Sequence, residues 1–410
     1  MLRARTLGAS LLVLVVSALA ALVPAVAIGA EARTVTFGLI GTWTGPTSDA
    51  GRHYADGALH YFRWLQDEQK GTVETQKLGP VRVELVWSDD QYNPQQTLSA
   101  LRQFASQNRI AGAITWGTGA NLAIKEEVNR AHIPTLSASF HAGLLDAPGA
   151  YNFFLSMTYD DHMKVLVDYV KSLHKGASTP KVGFNVHPSP YGRSPLAAGR
   201  AYLQELGMKA VASQELAADV LDATSQVLEL RRAGAEYVLF QNVASPLSVF
   251  LRDARRNGLR ATFLGIHYAG GEELLHLAGA NADGFITTSA ARTWYEEIPG
   301  NRTVHQLNAR YSPDEKARPP HYAQGVATAM LLVEGLRRAP TLDGAGIKAG
   351  LETLRNFDTG GLVLPVTFTP DRHAGADAVL LYRLNARTKR LDYIGEFAPR
   401  GKAAGAAQGR

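Results

Sequence analysis

Trp116-Gly117-Thr118-Gly119 sits where a short apolar run gives way to a helical pattern. Glycine lets a ligand approach the backbone there, and a helix start offers free N–H groups and positive potential to an anion. The alternative is a plain glycine turn in which Thr118 caps the helix. Ser137-Ala138-Ser139-Phe140-His141 follows the next apolar run. His141 can donate to an anion there, or simply stand on a surface loop. Tyr191 lies between Pro190 and Gly192, and His267-Tyr268 ends another apolar run. Trp43 and Trp116 both follow strand-like segments rather than lying on a helix stripe.

Catalytic patterns are missing. Ser139, His141 and Asp146 are close in sequence, yet no G-x-S-x-G elbow surrounds the serine. The 12 histidines never form H-E-x-x-H. His53 and His60 can share a helix face but stand about two turns apart, too far to hold one metal. Asp89-Asp90 is followed by Asn93-Pro94, which makes it a turn and a helix start. That loop can also line the mouth of a cleft. The residues suit recognition of a small solute, with no enzyme activity, metal or cofactor implied.

Alternating elements must position these residues. Val35–Ile40, Val81–Trp87, Ile110–Ile114 and Ile133–Ser137 read as strands. Helices are expected over Ser48–Lys70, from Pro94, and over Asn121–Ala131. Proline suits the first helical position because its φ is fixed and it has no N–H to leave unpaired. The rhythm restarts after Tyr151. Helices over His162–Leu173, Gly192–Leu206, Val220–Arg232 and 247–257 alternate with strands at Lys181–Val186, Met208–Gln214, Tyr237–Gln241, Thr262–Ile266 and Phe285–Ser289. Helices near Thr303–Tyr311, His321–Arg338 and Gly344–Leu354 follow. Val366–Phe368, Ala378–Leu384 and Leu391–Phe397 read as strands without helices between them, hence an antiparallel edge. Strands alternating with helices mean parallel sheets, and two such runs mean two α/β lobes.

Composition agrees. The chain has 410 residues, no cysteine, and 42 Lys+Arg against 37 Asp+Glu, for a net charge of +5. The missing cysteines exclude thiol nucleophiles, disulfides, thiolate metal sites and a cysteine lipid anchor. The small charge excess is not the footprint of a nucleic-acid binder. Arg3 and Arg5 precede an apolar run from Leu7 to Val23, with small residues at Ala25, Ala27, Ala30 and Ala32. This pattern describes a secretory signal over 1–32, cut after Ala27 or Ala32. The alternative is an uncleaved anchor, for which the run is at the short limit. Export to the periplasm of an otherwise soluble protein is the expectation. Residues 399–410 are Gly/Ala/basic and expected to fray.

Val35-Thr36-Phe37-Gly38-Leu39-Ile40-Gly41 with Thr44-Gly45-Pro46 resembles the opening of type I periplasmic binding proteins of the branched-chain amino-acid ABC importer type. The resemblance continues through Asp89-Asp90-Gln91-Tyr92-Asn93-Pro94, Ile133-Pro134-Thr135-Leu136-Ser137, Tyr191-Gly192, Ala254-Arg255-Arg256-Asn257-Gly258-Leu259 and Tyr322–Arg338. Order and spacing carry it rather than any one motif, over about residues 34–397. It implies an α/β fold of two lobes, each a mostly parallel sheet flanked by helices, joined by three crossovers near 157, 287 and 358. Lobe one would be 33–157 plus 288–358, and lobe two 158–287 plus 359–398. The implied function is a monomeric receptor that closes on a solute and docks on an inner-membrane permease. A sensor domain of the same fold, reporting occupancy to a signalling partner, is the rival reading. A hydrolase of unknown type is a third.

The resemblance also implies site residues. Thr118 matches a Ser/Thr that binds the ligand carboxylate, with Gly117 beside it. Ser139 and His141 match a small residue and a Thr of the same subsite, flanking Phe140. Tyr191 matches a tyrosine that packs over the ligand. His267 stands where amino-acid receptors carry a Glu that neutralises the ligand ammonium, and a histidine is no permanent anion. Asp160 matches a second helix-starting carboxylate, or caps its own helix. The expected ligand is therefore an organic anion without an α-amino group, an aromatic or small hydrophobic carboxylate. Trp43, Trp116, Phe140, Tyr191 and Tyr268 would supply stacking surface. Thr118, Ser139, His141 and His267 would supply donors. A branched-chain amino acid is the alternative ligand.

Overall fold

The computed structural model describes residues 33–147 and 149–401. The expected signal segment 1–32 and residues 402–410 of the expected tail lie outside the described residues.

The first half is built on Arg33–Gly41 (β1), Thr72–Thr75 (β2), Gly79–Asp89 (β3), Gly112–Thr115 (β4), Thr135–Ser137 (β5) and Asn152–Phe153 (β6). Their order is β2-β3-β1-β4-β5-β6, parallel except for β2 against β3. Strands of such a sheet are covered on both faces, so β1 reads as an unbroken apolar run and Phe37, Leu39 and Ile40 are buried. The covering helices are Ser48–Gln69 (α1), Pro94–Gln103 (α2) and Thr118–Arg130 (α3). Asn93 caps α2 by accepting from Gln95 N at 2.9 Å, and Pro94 takes its first position.

The chain then enters a second sheet. Its strands are Lys181–Val186 (β7), Lys209–Glu215 (β8), Tyr237–Gln241 (β9), Thr262–Gly265 (β10), Ile286–Ser289 (β11), Val379–Asn385 (β12) and Arg390–Phe397 (β13). The order is β13-β12-β11-β10-β9-β7-β8, and only β12 runs against the others, antiparallel to both β11 and β13. Its helices are Tyr159–Leu173 (α4), Pro190–Arg193 (α5), Leu196–Glu205 (α6), Thr224–Arg232 (α7), Ala244–Arg256 (α8) and Glu272–Ala278 (α9). After β11 the chain returns to the first half with Pro299–Tyr311 (α10), Pro320–Arg338 (α11) and Gly344–Leu351 (α12). It crosses once more before β12, where Phe154 and Ala374 bridge.

Three expectations differ from the structure. Residues 366–368 form no strand; Val366 makes only an isolated bridge to Phe357. The helix expected over 192–206 is split into α5 and α6, because Pro195 has no N–H to continue the first turn. Strands β2 and β6 were not expected, being too short and too polar to show a period of two.

Helices α1 and α11 pack closely through glycine. A Cβ on Gly325 would stand 2.0 Å from the Tyr54 carbonyl oxygen, and one on Gly57 would stand 2.2 Å from that of Tyr322. This crossing fixes the backbone behind the cleft, where α11 delivers Gln324 and His321.

Candidate functional site

A small cavity lies between the two halves. The first half contributes Thr47, Tyr92, Trp116, Gly117, Thr118 and Ala138 to its wall. The second half contributes Tyr159, Tyr191, Val243 and Tyr268. Every one of them lies beyond the C-terminal end of a strand or at a helix start, where open α/β sheets bind ligands.

Gly117 precedes α3 with φ 84°, and no side chain caps this helix. Its first N–H groups therefore stay available at the cavity. Thr118 Oγ1 and Ser139 Oγ are 2.8 Å apart, and both side chains are buried. The Tyr159 phenol stands beside both hydroxyls from across the cleft. Hydroxyl and backbone N–H groups thus gather at one end of the cavity.

Most of the rest of the wall is aromatic. Trp116 meets Tyr268 edge-on at 4.9 Å between ring centres, and Tyr191 meets Tyr159 at 5.5 Å. Trp116 Nε1 donates to Thr47 Oγ1 at 3.0 Å, and Tyr191 Oη donates to the Asn242 carbonyl at 2.8 Å. These bonds orient the rings while satisfying their polar ends. Burial raises the Tyr92 phenol to about 12 and those of Tyr159, Tyr191 and Tyr268 further, so all four stay protonated.

Tyr92 reaches the wall because its backbone is left-handed, with φ 60°. The aspartates before it hold that turn. Asp90 accepts from Tyr92 N at 2.9 Å, from Thr42 Oγ1 at 2.6 Å and from Thr97 Oγ1 at 2.7 Å. Asp89 accepts from Thr44 Oγ1 at 2.7 Å and from Trp43 N at 3.1 Å. The pair ties two loops together.

The structure brings Trp116, Gly117, Thr118, Tyr191 and Tyr268 to the wall, with Ser139 directly behind Thr118. The other sequence candidates are placed elsewhere. Trp43 packs at a tilt against Trp87, with ring centres 5.2 Å apart, and donates from Nε1 to Asp56 at 2.9 Å. Phe140 is fully buried behind the wall, against Tyr159, His162, His267 and Tyr268. His141 turns back on its own loop, where Nδ1 accepts from Gly143 N at 2.9 Å.

His267 is also outside the wall. Its Nδ1 accepts from Ala290 N at 3.2 Å, so Nε2 carries the proton and donates to Gln324 Oε1 at 2.8 Å. Burial, with His321 nearby, holds its pKa well below the usual range, so it is neutral. Both nitrogens are spoken for, and none is left for a ligand. Asp160 does not cap α4; Thr158 does, accepting from Asp161 N at 3.2 Å. Sequence reasoning did not single out Thr47, Tyr92, Ala138, Tyr159 or Val243. The D-D-Q-Y-N-P turn after a strand was the available signal for Tyr92.

The family model described as periplasmic binding protein matches residues 34–389. The chain belongs to the periplasmic binding protein family. This periplasmic binding protein is 25% identical over 320 residues to Leu/Ile/Val-binding protein homolog 7 of Brucella suis, covering 74% of this chain and 77% of the relative. A branched-chain amino acid ABC transporter protein of Thermus thermophilus, solved with bound valine, is similar in structure. That match has a TM-score of 0.83 and 30% identity, over 90% of this chain and 98% of the other. A substrate-binding protein of Aeropyrum pernix superposes with a TM-score of 0.83 at 24% identity, over 90% and 97% of the two chains. The protein is thus of the ABC-transporter solute-binding type. No helix among the described residues is long and apolar enough to cross a membrane.

Proposed function

We propose that this periplasmic binding protein captures a small hydrophobic or aromatic carboxylate that lacks an α-amino group and delivers it to an inner-membrane permease. One observation carries the reading. Among the described residues, none that lines the cavity bears a carboxylate, and none bears a cationic side chain. A ligand ammonium would enter such a wall without a counter-charge, which is costly in a buried site. A carboxylate would meet the α3 N–H groups and the hydroxyls of Thr118 and Tyr159. A helix N-terminus is worth about 0.3–1 kcal/mol to an anion, rising to about 2 when partly buried. The aromatic remainder of the wall suits an apolar body of the ligand. Closure would be favoured because the wall is completed only when both halves contribute. Residues 1–32 would direct export.

The test is a thermal-shift and calorimetry screen pairing each amino acid with its des-amino acid: valine with 3-methylbutanoate, leucine with 4-methylpentanoate, phenylalanine with 3-phenylpropanoate. A ligand at 100 times its Kd adds about 2.7 kcal/mol of stability, which such a screen detects. Stabilisation by des-amino acids in preference to their partners is expected. Tight 1:1 binding of valine or leucine with no response to any des-amino acid would overturn the reading.

A further inference from the structure

A buried, one-way chain of hydrogen bonds runs from the second crossover to the cavity wall. Ala290 N donates to His267 Nδ1 at 3.2 Å, and His267 Nε2 donates to Gln324 Oε1 at 2.8 Å. Gln324 Nε2 then donates to Tyr268 Oη at 3.0 Å, and Tyr268 Oη donates to the Ala138 carbonyl. The direction is forced at each step. A backbone amide can only donate, so His267 Nδ1 must accept and Nε2 must carry the proton. The Gln324 amide is then oriented with its oxygen to His267, which turns its nitrogen to the phenol. The phenol, already accepting, spends its own proton on Ala138. All of these side chains are buried, so water does not compete.

The last bond matters for the ligand. Ala138 lines the cavity, and its carbonyl is a backbone acceptor at the wall. Such an oxygen is where a ligand N–H would find a partner. Tyr268 comes from the opposite half and occupies it. We propose that Gln324 and His267 are positioning residues that hold the Tyr268 phenol on the Ala138 carbonyl, making Tyr268 the residue that rejects ligands bearing an amino group. This rests on the proposed ligand class, and it explains the exclusion by a specific atom rather than by the missing counter-charge alone.

The experiment measures Kd for two matched probes, leucine and 4-methylpentanoate, in the wild-type protein, Tyr268→Phe and Gln324→Leu. The ratio of the two Kd values is read, because a merely structural defect weakens both probes alike and leaves the ratio unmoved. Tyr268→Phe keeps the ring and frees the carbonyl. It is expected to shift the ratio towards leucine by about tenfold or more, the worth of one buried hydrogen bond to a charged group. Gln324→Leu should shift it the same way while Tyr268 itself is intact. Wild type that favours the des-amino acid, with a ratio unchanged in both variants, overturns the role of Tyr268 and leaves the ligand class standing. Wild type that favours leucine, or binds neither probe, overturns both. Should Tyr268→Phe fail to fold, Gln324→Leu alone decides by the same ratio.

Discussion

Asp49 Oδ2 accepts a hydrogen bond from the backbone N–H of Ser245 at 3.3 Å. The carboxylate stands on the first turn of α1, and the amide on the first turn of α8 in the other half. Val243 at the start of α8 has no side chain able to cap it, so a residue from across the cleft does so. Burial first, and then the neighbouring Glu273, raise the Asp49 carboxyl to about 6, while His321 pulls the other way. Tyr191 also faces it. On the proposed closing motion, opening the cleft would return Asp49 to water and its ordinary value near 3.8. The closed state then holds more protons between these values, so closure gains as pH falls. Affinity for 4-methylpentanoate should rise about tenfold between pH 7 and pH 5. Calorimetry across that range checks it, and Asp49→Asn should flatten the profile; a flat wild-type profile contradicts the cap.

Glu272 is buried, and neither of its carboxyl oxygens has a hydrogen-bond partner. Burial raises it to about 8, with Glu273 adding to the shift. The native protein therefore holds a proton that the unfolded chain has released, and stability falls as pH rises from about 4.5 to about 8, levelling off above it. About 1.4 kcal/mol should be lost between pH 7 and pH 9. Glu272→Gln, which mimics the neutral acid, should remove that slope in urea unfolding. On the acid side His53, His60, His162 and His267 act in the opposite sense, because burial keeps each of them neutral. They must charge on unfolding below about 6.5, so stability should also fall towards acid.

Thr118→Val preserves shape and removes one hydroxyl from the donor end of the cavity. Affinity for the carboxylate probe should drop by about 1.5–3 kcal/mol, the range for a hydrogen bond to a charged group. Calorimetry measures it. An unchanged Kd would place the carboxylate elsewhere.

Gly117→Ala should damage both fold and site. The backbone there has φ 84°, and an added Cβ would stand 2.8 Å from Tyr92 Cε2. Strain of this kind costs about 1–3 kcal/mol. The displaced tyrosine should weaken probe binding in the same variant, as seen by thermal shift with and without ligand.

Trp43→Phe is the control. Trp43 packs on Trp87 and Asp56 away from the cavity wall. Probe affinity should stay within about threefold, a change below 1 kcal/mol. A larger loss would bring Trp43 into the site after all.

The alternation of apolar runs and helical stripes was enough to read two parallel sheets, because strands buried on both faces must be apolar throughout. Thr118 and Tyr191 were legible for a similar reason: glycine beside them marks a sharp chain reversal at a strand end. His267 shows the limit. Its position after β10 is visible in the sequence, but its partners Ala290 and Gln324 come from other elements, and they consume both nitrogens. Tyr92 and Tyr159 were missed because a left-handed turn and a cross-cleft phenol depend on three-dimensional neighbours. Phe140 was half-legible: a large aromatic after a strand faces the ligand or the core, and only packing decides which.

The wall of the cavity is drawn from both halves, with Trp116 and Tyr92 on one side and Tyr159, Tyr191 and Tyr268 on the other. On the proposed reading neither half carries a complete binding site, so the molecule would work as a coincidence detector. A solute that satisfies one side only gains nothing from the other and departs as fast as it came. The dissociation rate of a true ligand would then be the rate at which the two halves part. Substitutions far from the cavity that stiffen the crossovers should lengthen residence without touching a single ligand contact.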